Sequence, residues 1–338
     1  MSLDMDHLHV LYMYYTQQVV INLLTILIPV LLLVQAFRRK HKTPEIRMFV
    51  IMCFSTILLC LFTAGESVLM RFAFEIPPFL QVLGFVSHAV NTILSFVMVL
   101  FWLLFTEYTL HQSVDIIKRR YPVAMIPFFA GVAVAVLSLL GVLIEAFSIE
   151  FLVVINFLNQ FVRFIWAGYI LASYIVLFRE KKRKKIPEYI RLTPTVIAII
   201  LGYVIDALTQ YRLVPLGYAV GLMFMDYYMF RRLSFIDQES GFYNEKYLSV
   251  LSKEAEKKKI HDVTAIRFKT SEDQKKLIEI LRCWKPEYSK VILRDDGEIL
   301  ILSELLKKTL AERFIFLVQE QCTKEGLETE ASFEYIRL

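Results

Sequence analysis

"RRLSFIDQESGFYNEKYL", residues 231–248, divides a chain of 338 residues into two parts of opposite character. The whole chain is 57% hydrophobic, with a mean hydropathy of +0.52. A soluble protein of this length is rarely so apolar, because its surface must be wetted. Through Ile236 the chain holds 20 Lys+Arg and 13 Asp+Glu, and beyond it 18 and 20. A net charge of +7 thus belongs to the apolar part and −2 to the polar part. The basic excess therefore points to membrane topology and argues against nucleic acid as a partner. Cys53, Cys60, Cys283 and Cys322 form no CxxC or Cys/His spacing, so neither a metal site nor a disulfide framework is expected. The start, "MSLDMDHLHV", is acidic, and the apolar run behind it is too long for a signal-peptide core.

A bilayer core takes about 20 apolar residues per helix. Seven runs meet this length, at 18–37, 47–70, 79–108, 123–144, 149–178, 192–210 and 214–230. The last two are the shortest and contain Asp206 and Asp226. "RRKHK" from Arg38, "KRR" from Lys118, "REKKRKK" from Arg179 and "RR" from Arg231 all fall on one side of these runs. The opposite connections hold only Arg71 and Arg212 as cations, with Glu75, Glu145 and Glu150. The positive-inside rule then puts the N-terminus outside and the C-terminus in the cytoplasm.

Polar residues inside spans are costly and usually face a bundle interior or a cavity. In "INFLNQFVRF" the residues Asn156, Asn159, Gln160 and Arg163 share one helical face. His88, Asn91 and Ser95 make a weaker stripe on the third run. Glu66, His88, Arg163 and Asp206 all fall in the outer half of the bilayer. Two readings stand side by side: a pocket for a small polar or charged ligand, or interhelical glue in which Arg163 pairs with Glu66 or Asp206. Asp226 is expected near the headgroups, without a role. A carrier is less favoured, since no Gly/Pro-broken spans recur in matching positions of two halves.

Residues 237–338 read as a small α+β domain behind the 1–236 membrane region. A helix is expected at 245–258 and a strand at 263–268. A second helix follows "SED", with Ser271 as N-cap and Gln274 completing a capping box. Strands at 288–293 and 298–302 flank "RDDG", whose Asp296-Gly297 step signals a hairpin. A helix at 304–324 is ended by Gly326, and an alternating strand closes the chain. Helix, then β-α-β-β-α-β, is the order of a ferredoxin-like sheet with two helices on one face. The expected fold class is thus a membrane all-α bundle of seven helices plus a small cytoplasmic ferredoxin-like (βαββαβ) domain.

"DQESGFYNEKYL" resembles the "DxLTGLxNRxxF" opening of GGDEF domains, the diguanylate cyclases. Asp237, Gly241, Tyr243, Asn244 and Tyr247 match or nearly match, with Phe242 in place of Leu. "RFKTSED" resembles the family's "HFKxxND" through Phe268, Lys269 and Asp273. "DDGEI" (Asp295, Asp296, Gly297, Glu298, Ile299) falls on the hairpin where the name-giving motif belongs. The resemblance covers about a hundred residues of the tail. The seven-span part is only generally similar to sensor regions of bacterial histidine kinases and cyclases.

The resemblance also says which chemistry is missing. The family's first metal-binding acid corresponds to Thr264, the second acid of that phrase to Ile266, and a guanine contact to Glu272. Asp295 and Asp296 replace the two glycines that let the backbone approach substrate, Gly297 replaces an acidic metal ligand, and Glu298 alone is retained. Carboxylates at the phosphate positions would repel the triphosphate. The "GHxxGD" and "RxxD" segments are absent. Arg267, Lys269 and Arg294 remain as cations near one end of the sheet, able to attract a nucleotide or simply to be solvated. The expectation is a bacterial inner-membrane signalling protein whose inactive tail, needing no cofactor, acts by contact as a homodimer or on a partner protein. The rivals are a divergent diguanylate cyclase making cyclic di-GMP from GTP, and a transporter with a regulatory tail.

Overall fold

The computed structural model describes residues 5–39, 43–71, 78–111, 114–144, 149–183, 192–209, 212–237, 239–258, 263–270, 273–284, 286, 289–303 and 307–336. Each apolar run forms a helix: α1 (Met5–Arg38), α2 (Pro44–Arg71), α3 (Pro78–His111), α4 (Val114–Ile144), α5 (Ile149–Arg183), α6 (Thr193–Thr209) and α7 (Val214–Leu233). Pro44, Pro78, Pro194 and Pro215 fall in the first turns of their helices, where a missing N–H costs nothing. Thr43 caps α2, its Oγ1 accepting the Ile46 N–H at 3.5 Å. The chain divides into two compact units, Met1–Phe178 with Arg191–Tyr227, and Arg179–Ile190 with Tyr228–Leu338. The division therefore falls inside α7, some residues before the boundary expected at Ile236.

In the first unit α2 packs between α1 and α3, and α3 continues onto α4. Phe49, Phe96, Trp102 and Phe105 fill the interior. The outer face of α1 is as apolar as its inner one, with Leu24, Leu27, Leu31 and Phe37 exposed. Such a surface is untenable in water and suits lipid. Several hydroxyls inside the helices are satisfied locally, Thr25, Thr56 and Thr109 donating to the carbonyls of Ile21, Met52 and Phe105.

Among the described residues four helices are long and apolar enough to cross a membrane: Tyr12–Arg38, Pro44–Leu69, Val82–Leu110 and Phe161–Arg179. Tyr121–Leu137 and Thr193–Asp206 are shorter apolar helices. α7 is helical over 20 residues but carries Asp226, Arg231 and Arg232. The seven runs of the sequence are thus seven helices, four of which have the length and apolarity of a span among the described residues.

α6 and α7 meet backbone to backbone. A Cβ on Gly202 would lie 2.8 Å from the Gly217 Cα, and one on Gly217 would lie 2.9 Å from the Gly202 Cα. Small residues at this contact give two short helices an approach that larger side chains forbid.

In the second unit, β1 (Tyr243–Asn244), α8 (Glu245–Lys258), β2 (Val263–Thr270), α9 (Gln274–Trp284), β3 (Lys290–Leu293), β4 (Ile299–Ser303), α10 (Lys308–Lys324) and β5 (Thr329–Ile336) follow in order. The sheet order is β1-β3-β4-β2-β5, with β1 parallel to β3 and the other pairs antiparallel. Strand alternation sends Val263, Ala265, Leu300 and Leu302 to one face, with Tyr247 and Leu251 of α8. Ile266, Phe268, Ile299 and Ile301 go to the other, with Leu277 and Leu281 of α9 and Val318 of α10. β4 is buried on both faces, which explains its unbroken apolar run "ILIL".

Local signals are realised with one change. α9 is capped by Asp273, whose Oδ1 accepts the Lys275 N–H at 3.0 Å, and Ser271 lies outside the described residues. Gln274, at the start of α9, donates from Nε2 to the Gly297 carbonyl at 3.0 Å. At the end of α10, Gly326 takes φ +73°, and the Leu327 N–H reaches the Cys322 carbonyl at 2.9 Å, closing the last turn.

Gly202→Val should force the two backbones apart at a cost of about 1–3 kcal/mol. The expected outcome is a lower thermal midpoint of the purified protein in detergent. An unchanged midpoint would show that α6 and α7 do not pack at this contact.

Candidate functional site

Glu66 is the organising residue of the first unit. It projects from α2 with 1% exposure, where an ionised carboxylate without partners is very costly. Three residues answer it. The Arg212 guanidinium, from the α6–α7 connection, forms an ion pair with Oε2. His88 Nδ1 lies 3.3 Å from Oε1, and Asn91 Nδ2 donates to Oε2 at 3.1 Å. His88 and Asn91 are three residues apart on α3, so one helical face presents both. Next to Glu66 on α2, the Ser67 hydroxyl donates to Gln18 Oε1 at 2.8 Å, which ties α1 to the same region. Asp206 accepts the Leu213 N–H at 3.1 Å and lies within electrostatic reach of Arg212 and Arg163.

The structure therefore brings Glu66 and His88 together and sets Asp206 beside their arginine. Glu66 is paired with Arg212 and not with Arg163, because the α6–α7 connection delivers Arg212 to it. The side chains of Asn156, Asn159 and Gln160 lie outside the described residues.

Arg163 is an exposed residue on the wall of a different feature, a cavity of about 150 Å³ between α3, α5 and α6. His88, Thr92 and Ser95 line it from α3, and Trp166 and Tyr203 supply aromatic walls. The aromatic side is held firmly. Trp166 Nε1 donates to Tyr218 Oη at 2.7 Å, Tyr203 and Tyr218 hydroxyls lie 3.3 Å apart, and the Trp166 and Tyr203 rings are 3.5 Å apart at their centroids.

Sequence reasoning misses Arg212, the Trp166–Tyr203–Tyr218 group and the partner of Asp226. Asp226, read from the sequence as without a role, is engaged: its side chain is 11% exposed, with Arg39 Nη2 2.5 Å from Oδ1. Arg39 belongs to the "RRKHK" cluster, where a single internal partner is not visible against four similar neighbours.

In the second unit the hairpin of Asp295, Asp296, Gly297, Glu298 and Ile299 is internally closed. Gly297 takes φ +84°, as the turn requires. Asp296 Oδ1 accepts the Glu298 N–H at 3.1 Å, and the Asp295 N–H donates to Glu245 Oε2 at 3.2 Å. Glu298, the retained acid, lies 2.6 Å from Arg294 Nη1 and 4.0 Å from Arg267 Nε. Hydrogen bonding to Glu298 pushes the Arg294 pKa above its ordinary value. Arg267 also pairs with Glu334.

Thr264 does not approach this hairpin. It pairs with Ser303, four positions along β2 from the Phe268–Ile299 pair, and at about 3.3 Å per residue that is roughly 13 Å. Two carboxylates at the positions of Thr264 and Gly297 would not share a metal in this register. Among the described residues no three His, Cys, Asp or Glu side chains are grouped as a metal set would be.

No protein-family model matches this chain, and no curated protein matches it.

Replacing Glu66 and Arg163 separates the two features of the first unit. Glu66→Gln should cost about 2 kcal/mol, the scale of a hydrogen bond to a charged group, with an Arg212→Met double-mutant cycle recovering most of it as coupling. Arg163→Met should change stability by less than about 0.5 kcal/mol. Equal losses in both variants, read by thermal unfolding, would contradict this division of roles.

Proposed function

We propose that the chain is an integral membrane signalling protein. In this reading a seven-helix sensor region, with its N-terminus outside a bacterial inner membrane, controls a catalytically inactive GGDEF-like domain that acts by contact. The observation that carries it is the joint at the end of α7. Asn244 Nδ2 donates to the Ser234 carbonyl at 2.9 Å, and the Asn244 N–H donates to the Phe235 carbonyl at 2.8 Å. The Asp237 N–H donates to the Phe242 carbonyl at 2.8 Å, and Asp237 Oδ2 accepts the Ser240 N–H at the same distance. Arg282 of α9 closes the joint from the other side, its Nε donating to the Ser240 carbonyl at 3.0 Å.

The last turn of α7, Tyr228–Leu233, belongs to the same compact unit as the sheet. A displacement of that turn is therefore passed to β1 and α8 through hydrogen bonds rather than lost in a slack linker. The residues that carry the resemblance, Asp237, Gly241 and Asn244, are the residues that build this joint. The sheet order β3-β4-β2-β5, with antiparallel neighbours, supports the ferredoxin-like reading of the domain. The pairing of Glu298 with Arg294, and the distance from Thr264 to the hairpin, support an output made by contact and not by nucleotide cyclisation.

Incubated with GTP and Mg²⁺ or Mn²⁺, the purified full chain should yield no cyclic dinucleotide. Robust cyclic di-GMP in that assay would sink the contact-output reading. Asn244→Ala removes one bond of the joint and should destabilise it by about 1 kcal/mol, read as faster amide exchange over residues 234–244. Unchanged exchange there would mean that the joint is not held by Asn244.

A further inference from the structure

The cavity between α3, α5 and α6 has a chemistry of its own, distinct from the Glu66 cluster beside it. Its anionic neighbours are already engaged. Glu66 is taken up by Arg212, His88 and Asn91, and Asp206 holds the Leu213 N–H. Arg163 differs. Among the described residues no hydrogen bond or ion pair holds its guanidinium, which lines the cavity from α5 within electrostatic reach of Asp206. A guanidinium in such surroundings strongly favours an anion with two parallel acceptor oxygens, because its planar fork matches a carboxylate.

The opposite wall sets the rest of the ligand. Trp166 and Tyr203 present ring surface, and Phe96 lines the same space. Trp166 and Tyr203 are fixed in orientation through Tyr218, so their faces are prepared before anything binds. Thr92 adds little to polarity there, since its hydroxyl donates to the His88 carbonyl at 3.0 Å. The volume, about 150 Å³, is that of a cavity that admits a single benzene-sized ring.

Resting on the sensor reading above, we propose that this cavity is the sensory site and that it binds a small planar monocarboxylate, the carboxylate on Arg163 and the flat apolar body against Trp166 and Tyr203. Glu66 is not a ligand contact in this assignment. It holds His88 and the α6–α7 connection in position at the cavity's edge.

Benzoate is the probe, titrated calorimetrically into the full chain in zwitterionic detergent. It should bind saturably with a Kd of about 1 mM or tighter. Acetate, which lacks the ring, and benzyl alcohol, which lacks the charge, should each bind at least about tenfold more weakly. Arg163→Gln should weaken benzoate binding by at least about tenfold while leaving the unliganded thermal midpoint unchanged. Arg163→Lys should recover part of the loss, as a point charge without the fork does. Benzyl alcohol binding as tightly as benzoate, or Arg163→Gln binding like the parent, would overturn the assignment. Displacement of benzoate by decanoate at much lower concentration would also overturn it, by giving the site to a lipid acid. Because binding is read directly and not through the tail, absence of saturable benzoate binding rejects this site and leaves the signalling reading standing. Tight benzoate binding alongside cyclic di-GMP synthesis would reject the contact-output reading and leave the site.

Discussion

A carboxylate inside a bundle of apolar helices must be surrounded by donors, or its burial would outweigh the packing around it. Glu66 meets that condition through residues from α3 and the α6–α7 connection, elements that are far apart in sequence. Satisfying one buried acid thus draws α2, α3 and the α6–α7 connection to a common point. The same logic recurs at Asp226, which is covered by Arg39 across a separation of 187 residues. Hydrophobic burial has no directional preference in lipid, since tails are as apolar as leucine. The polar pairs, together with the Gly202–Gly217 contact, are what can specify one arrangement of helices over others.

The second unit solves the opposite problem. Its elements are short, and both sheet faces must be covered for β4 to be buried throughout. α9 and α10 cover one face and α8 the other, so the helix that follows the Asp237–Asn244 segment is part of the core and not an appendage. Tyr243 and Tyr247 stack with ring centroids 3.9 Å apart, and Phe235 lies 5.9 Å from Tyr247. Aromatic packing and hydrogen bonding therefore fasten the same joint.

Much of the fold is legible in the sequence, and the reasons are local. α8 spans 245–258 as expected because an acidic first turn precedes a clear apolar stripe. β4 and the Gly297 turn follow from an unbroken apolar run beside an Asp-Gly step. Gly326 ends α10 as glycine does past a helix. Pairings set by tertiary contact are not legible in the same way. Glu66 and Arg212 each stand out as charges near apolar runs, yet nothing in their spacing makes them partners. Ser271 and Gln274 fit a capping box by pattern, but Asp273 is closer to the helix start and its carboxylate is the stronger acceptor. Span length is the hardest quantity to read, since Asp206 and Asp226 interrupt apolarity in helices that still form.

The segment 237–244 is the place where resemblance and geometry have to be weighed against each other. In a cyclase such a phrase opens a catalytic domain, and its residues would be retained for the sake of the metal and nucleotide ligands behind it. In this chain Glu298 is bound up with Arg294, Asp295 and Asp296 serve the turn, and Thr264 faces Ser303 at the far end of β2. Asp237, Gly241 and Asn244 nevertheless have a complete structural task of their own. Asp237 accepts from Ser240, Gly241 takes φ +72° to turn the chain back, and Asn244 bonds the residues just beyond α7. That task requires no nucleotide and no metal.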